Sequence, residues 1–163
     1  MLKLDIGGCG GLGKRDIDYL SVDMADNADV KAQMWELPYK DCEVDEIWSS
    51  HTLEHSGVYK VGPTLAEWCR VLKYNGKLNV TVPNFEYVAR YFLTCADSDR
   101  PWAEAMIFGT QANDGEYHKC AFTSRTLRAD LEAAGFEVIM IKLIWSHNQE
   151  TLHAVCKKPE PKT

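Results

Sequence analysis

A chain of 163 residues with an apolar fraction of 45% has the length for one domain with a substantial core. Its formal charge of −6 argues against a nonspecific nucleic-acid surface, which needs a basic stripe. No apolar run is long enough to span a bilayer and no leader-peptide pattern opens the chain, so a soluble, cytoplasmic protein with no membrane association is expected. The six cysteines are scattered without a C-x-x-C pair and read as reduced thiols, not as a disulfide framework or a zinc site.

Leu2 to Ile6 reads as a buried first strand that breaks into the glycine cluster Gly7-Gly8-Cys9-Gly10-Gly11-Leu12-Gly13. Glycines after a strand let the backbone take positive φ and bring its N–H groups close to a ligand. Tyr19 to Asp23 reads as a second strand with a carboxylate at its end, leaving room between the two for a loop or a stub of helix only. Val30 to Met34 is a third short strand, and Val44 to Ser50 a fourth. The loop Ser49-Ser50-His51-Thr52-Leu53-Glu54-His55 follows, rich in functional atoms, with Glu54 read as a solvated side chain.

A helix is predicted from Pro63, with Leu65, Trp68, Cys69 and Leu72 on one stripe and Asn75-Gly76 as its left-handed stop. Lys77 to Val82 then alternates as a fifth strand, completing a parallel strand–helix–strand unit. Phe85–Thr94 and Trp102–Phe108 read as helices, and 109–122 as an ordered loop that could cover a site. A helix capped near Thr123 or Ser124 ends at Gly135. Phe136–Trp145 and Thr151–Lys157 finish the chain as an antiparallel pair. The tail 159–163 reads as flexible, so the domain is placed at 1–158. The five tryptophans read as core residues.

In order along the chain, the segments Leu4-Asp5-Ile6-Gly7-Gly8-Cys9-Gly10, Val22-Asp23, Leu37-Pro38-Tyr39, Val44-Asp45-Glu46-Ile47, His51-Thr52-Leu53-Glu54-His55 and Arg70-Val71-Leu72-Lys73-Tyr74-Asn75-Gly76-Lys77-Leu78 resemble the class I S-adenosylmethionine-dependent methyltransferases, type 11 domains above all. The resemblance implies a single-domain, Rossmann-like α/β fold, mostly parallel, with an antiparallel C-terminal hairpin. It implies S-adenosylmethionine as cofactor, with Asp5, Gly7, Gly8, Cys9 and Gly10 at the methionyl end and Asp23, beside Met24, on the ribose hydroxyls. Gln33 and Met34 would face adenine, and Ser49, Ser50 and His51 would lie near the sulfonium. The family usually carries a full helix between its first two strands and often an acid at the position of Gln33, and this chain departs from both patterns.

His118 or His51 is expected to act as general base during methyl transfer, against the plainer reading of a histidine that only shapes the pocket. The spacing of His51 and His55, with His118, invites a metal, but a hydrogen-bonded structural pair is expected and no metal. The acceptor is unidentified, and the acidic balance favours a small molecule over nucleic acid. A homodimer is left open. Two rival readings are weighed. A nicotinamide dehydrogenase would use G-x-G-x-x-G, but Asp23 follows too soon and no helix fits directly after the glycines. A degenerate methyltransferase fold could instead serve as a non-catalytic binding or regulatory subunit.

Overall fold

The computed structural model describes residues 1–8 and 17–161. Seven strands form one sheet in the order β3-β2-β1-β4-β5-β7-β6. They are β1 (Lys3–Ile6), β2 (Leu20–Asp23), β3 (Val30–Lys31), β4 (Val44–Ser50), β5 (Leu72–Pro83), β6 (Glu137–Ser146) and β7 (Gln149–Lys157). β1 pairs in parallel with both β2 and β4, and β4 in parallel with β5. β7 inserts between β5 and β6, antiparallel to both. The mostly parallel α/β fold with its closing antiparallel hairpin is therefore the one the sequence predicts. What the sequence suggests for Cys9, Gly10 and the stub between β1 and β2 lies outside the described residues.

The α-helices among the described residues are α1 (Val61–Val71), α2 (Phe85–Thr94), α3 (Arg100–Phe108) and α4 (Ser124–Ala133). The central strands are buried on both faces, and Leu4, Ile6, Val44, Ile47, Leu78 and Val80 form their part of the core. Leu65, Trp68 and Val71 of α1 and Leu127 and Leu131 of α4 close the same core. A smaller cluster of Val88, Ala103 and Met106 joins α2 to α3. No helix among the described residues is long and apolar enough to cross a membrane.

Several elements begin or end elsewhere than predicted, each for a local reason. β3 spans only Val30–Lys31, because Gln33 and Glu36 pair with each other in a tight bend. α1 starts two residues before Pro63 and stops at Val71, where Leu72 turns extended at ψ 139°. Asn75, at φ 62°, is therefore not a helix stop. It sits in an irregular stretch of β5, where the register against β4 jumps between Val44 and Glu46, and its N–H donates to the Lys158 carbonyl at 2.7 Å.

The caps match local chemistry better. Asn84 accepts the Glu86 N–H at the start of α2, and Thr123 and Thr126 cap α4 reciprocally. The β6–β7 hairpin turns on His147 and Asn148, at φ 52° and 57°. Two positive φ angles at the centre of a two-residue turn match the right-handed twist of the flanking strands.

One buried contact links the core to the carboxyl-end edge of the sheet. The indole Nε1 of the fully buried Trp68 donates to the Met34 carbonyl at 2.8 Å, holding the bend after β3 against α1. Arg70 and Glu67 fasten the next turn: Glu67 accepts the Leu37 N–H at 2.7 Å, and Arg70 donates to the Tyr39 carbonyl at 2.9 Å. Trp68→Phe keeps most of the apolar volume but removes the donor. It should cost about 1–2 kcal/mol in urea unfolding, with an unchanged m-value.

Candidate functional site

β1 lies between β2 and β4, so the chain leaves its carboxyl end beside a point where the strand order reverses. Open α/β sheets bind ligands in such a crevice. Here the backbone turns through Gly7 at φ 81°, with its N–H donating to the Val22 carbonyl at 2.9 Å. The Thr52 hydroxyl lies 3.2 Å from the carbonyl oxygens of both Ile6 and Ser50 and donates between them. A Cβ at Gly7 would run into that Thr52 side chain. Glycine is thus required twice over, by its dihedral angle and by its neighbour.

A cavity of about 570 Å³ opens at this point, within the range typical of small-molecule sites. Its walls bring together Gly7, Asp23, Met24, Gln33 and Met34, five of the residues expected to hold a cofactor. Asp23 ends β2, and its Oδ1 accepts the Ala25 N–H at 3.0 Å, which fixes the carboxylate's orientation. Gln33 and Met34 follow β3 through the bend that Trp68 holds.

Other expected residues stand back from the cavity. Asp5 is buried beneath Gly8, where a Cβ would meet its carboxylate. Ser49 is fully buried, and the Ser50 hydroxyl pairs with Thr81 at 2.9 Å. None of Asp5, Gly8, Ser49 and Ser50 is part of the cavity wall. Cys9 and Gly10 lie outside the described residues. Of the two histidines expected to act as base, His51 lines the cavity and His118 does not.

The far wall comes from the segment expected to be an ordered loop. Asn113, Gly115, Glu116 and Lys119 face the same cavity. Gly109, at φ 79°, pairs with Tyr117, and the His118 N–H donates to the Phe108 carbonyl at 3.0 Å, closing the loop onto the end of α3. The Lys119 N–H donates to the Glu54 carbonyl at 2.8 Å, tying the loop to the turn after β4. Sequence reasoning missed Trp35 as a wall residue and Thr52 as the bridge between β1 and β4, while Thr52, His55 and Glu116 lie in the two segments, the loop after β4 and 109–122, that it marked for the site. Trp35 had a visible signal in its place beside Gln33 and Met34. Thr52 had none, since its part depends on where β1 and β4 meet.

Glu54 differs most from its expected role, being buried at 1% exposure instead of solvated. It sits in a single 3-10 turn, Leu53–His55, directly after β4 and Thr52. Four of the five histidines in the chain gather near it. His51, in the left-handed region at φ 50°, brings Nδ1 to 3.4 Å from Glu54 Oε1. The ring of His147, from the β6–β7 turn, lies 4.1 Å from that of His51, and the rings of His55 and His118 meet edge-on at 4.9 Å.

Burial pushes the Glu54 carboxyl up, but the contact with His51 and the nearby His55 and His118 outweigh it, holding the group below its ordinary value. Burial, above all, holds His118 and His147 below the ordinary imidazole value. The result is a buried anion with His118 and His147 held toward their neutral forms, set behind the cavity wall that His51 and His55 line.

Residues 4–80 match the family model described as "Methyltransferase domain". No curated protein sequence matches the chain significantly. Among solved structures, an S-adenosylmethionine-dependent methyltransferase from Methanosarcina mazei superposes with a TM-score of 0.70 at 16% identity, covering 96% of this chain and 92% of its own. The 1,6-didemethyltoxoflavin-N1-methyltransferase of Burkholderia thailandensis, solved with its substrate and S-adenosylhomocysteine, gives 0.63 at 16% identity, covering 98% and 71%. The [4+2]-cyclase SpnF gives 0.65 at 18% identity, covering 96% and 74%. Identities this low establish the shared fold, and a cyclase among the neighbours shows that the fold alone does not fix the reaction.

Gly7→Ala tests the crevice directly. It should destabilise the protein by about 2 kcal/mol or more in chemical unfolding, from an L-residue at positive φ and the displaced Thr52 side chain. Gly57→Ala is the comparison: it shares a positive φ of 85°, but its Cβ would meet only Lys119 at 3.9 Å. It should therefore cost measurably less.

Proposed function

We propose that this chain, which by sequence and fold belongs with the class I S-adenosylmethionine-dependent methyltransferases, binds S-adenosylmethionine in the 570 Å³ cavity and transfers its methyl group to a small-molecule acceptor in the cytoplasm. One observation carries the reading: Gly7, Asp23 and the Gln33–Met34 bend, from three separate strand ends, face a single cavity at the strand-order reversal. The cofactor has an amino-acid end, a ribose diol and an adenine, and each finds a chemically suited partner there. Backbone around Gly7 meets the methionyl group. The Asp23 carboxylate accepts the two ribose hydroxyls, bonds strengthened by its charge. The Gln33 amide can both donate to and accept from the adenine edge, while Met34 supplies apolar contact.

The acceptor would enter between His51 and the loop carrying Asn113 and Glu116, opposite the glycine turn. Methyl transfer from a sulfonium needs in-line placement of the nucleophile above all. His51 is the group we assign as general base, because its imidazole lines the cavity and Glu54, 3.4 Å away, stabilises the charge it gains. His118 had equal standing from sequence, but its Nδ1 lies 3.1 Å from the Met106 carbonyl and its ring stands outside the cavity wall.

Calorimetric titration with S-adenosylmethionine, with S-adenosylhomocysteine and with NAD tests the assignment. The two sulfur compounds should bind and NAD should not; tighter binding of NAD, or no binding of either sulfur compound, would overturn it. Asp23→Ala should weaken S-adenosylmethionine about 10- to 100-fold, the loss of charge-assisted hydrogen bonds worth roughly 1.5–3 kcal/mol. Once an acceptor is found by screening for S-adenosylhomocysteine release, His51→Ala should lower kcat by about 10²–10⁴ while leaving cofactor affinity within a few-fold.

A further inference from the structure

Three side chains beside the cavity carry an arrangement that methyl transfer does not call for. Glu54, His55 and His118 each place one potential ligand atom within 4.8 Å of the others. Both carboxylate oxygens of Glu54 are buried, and among the described residues neither has a hydrogen-bond partner. With only His51 Nδ1 near one oxygen, at 3.4 Å, the buried carboxylate is poorly satisfied, and the arrangement is explained if something with positive charge occupies the gap on its other side.

The two imidazoles are set up for ligation by their backbone contacts. His55 Nδ1 lies 2.9 Å from the Tyr117 carbonyl oxygen, and His118 Nδ1 lies 3.1 Å from that of Met106. A carbonyl can only accept, so each ring carries its proton on Nδ1 and keeps the Nε2 lone pair available. Metal-binding histidines are fixed in tautomer and orientation in this same way. The contacts come from opposite ends of one loop: Met106 lies in α3 and Tyr117 beyond Gly109.

We propose that Glu54, His55 and His118 bind one divalent transition-metal ion, zinc by the chemistry of the donor set. Two imidazoles and a carboxylate make a three-ligand set that zinc accepts, with its fourth position open to water or to a ligand. In a tetrahedral site with bonds of about 2.1 Å the donor atoms stand about 3.4 Å apart, so small side-chain rotations close the present spacing around an ion. The ion would pin the loop behind the far wall to the turn after β4.

The test is a metal titration of the chelator-treated, tag-free full chain. Zinc, measured by calorimetry, and cobalt, followed by its visible absorption, should each bind at one equivalent, and zinc should raise the melting temperature. His55→Ala and His118→Ala should each weaken zinc at least tenfold, whereas His153→Ala should leave it unchanged, His153 lying against Asn79 and Trp48 instead. Because both histidines are partly exposed, circular dichroism of those variants verifies folding, and the test does not depend on replacing the buried Glu54. Absence of stoichiometric binding, or binding that survives both histidine substitutions, would overturn the proposal. S-adenosylmethionine affinity of the metal-free protein, measured in parallel, tests the methyltransferase reading separately, so the two can fail independently.

Discussion

The site depends on how β1 and β4 part company at their carboxyl ends. While the strands run side by side their backbone groups satisfy each other, but past Ile6 and Ser50 the carbonyls lose that partnership. The single hydroxyl of Thr52 takes up both oxygens, and Gly7 leaves the space in which that side chain lies. This arrangement keeps the crevice open without leaving buried acceptors unsatisfied.

Burial of Trp68 contributes a second constraint of a different kind. A short two-residue β3 offers little of its own to hold the segment that follows it. The indole reaches out of the core to grip the Met34 carbonyl, and the Glu67–Arg70 pair on the same helix secures the turn after it. One wall of the cavity is thus positioned by a helix that contributes no side chain to it. The opposite wall is positioned by Gly109 and by contacts with the Glu54 backbone. Both walls of the cavity therefore depend on the turn-and-helix segment that begins at Thr52.

Much of this was readable from the sequence, and the exceptions share a cause. Local signals placed the central strands, α2, the cap of α4 and the antiparallel ending. Gly7 and Asp23 also marked the edge where the cavity opens, because a carboxylate at a strand terminus and a glycine at a strand exit are local features. Asn75 misled because a residue favouring positive φ looks the same whether it ends a helix or kinks a strand. Glu54 misled more seriously. Its burial follows from the loop at 117–120 folding back over it, a contact across more than sixty residues that no window on the sequence contains. Asp5, Ser49 and Ser50 lie on the expected strands, but whether a side chain faces the crevice or the core is decided by the register of the neighbouring strands.

The insertion of β7 between β5 and β6 has a consequence for biogenesis. During synthesis β5 emerges with one side of its backbone exposed, and its proper neighbour is the last strand of the fold to leave the ribosome. The nascent chain must therefore shield an apolar, unsatisfied edge through the making of α2, α3, α4, β6 and a hairpin turn. The same late event delivers His147 to His51, so this contact beside the cavity forms only once β6 and β7 have both been made.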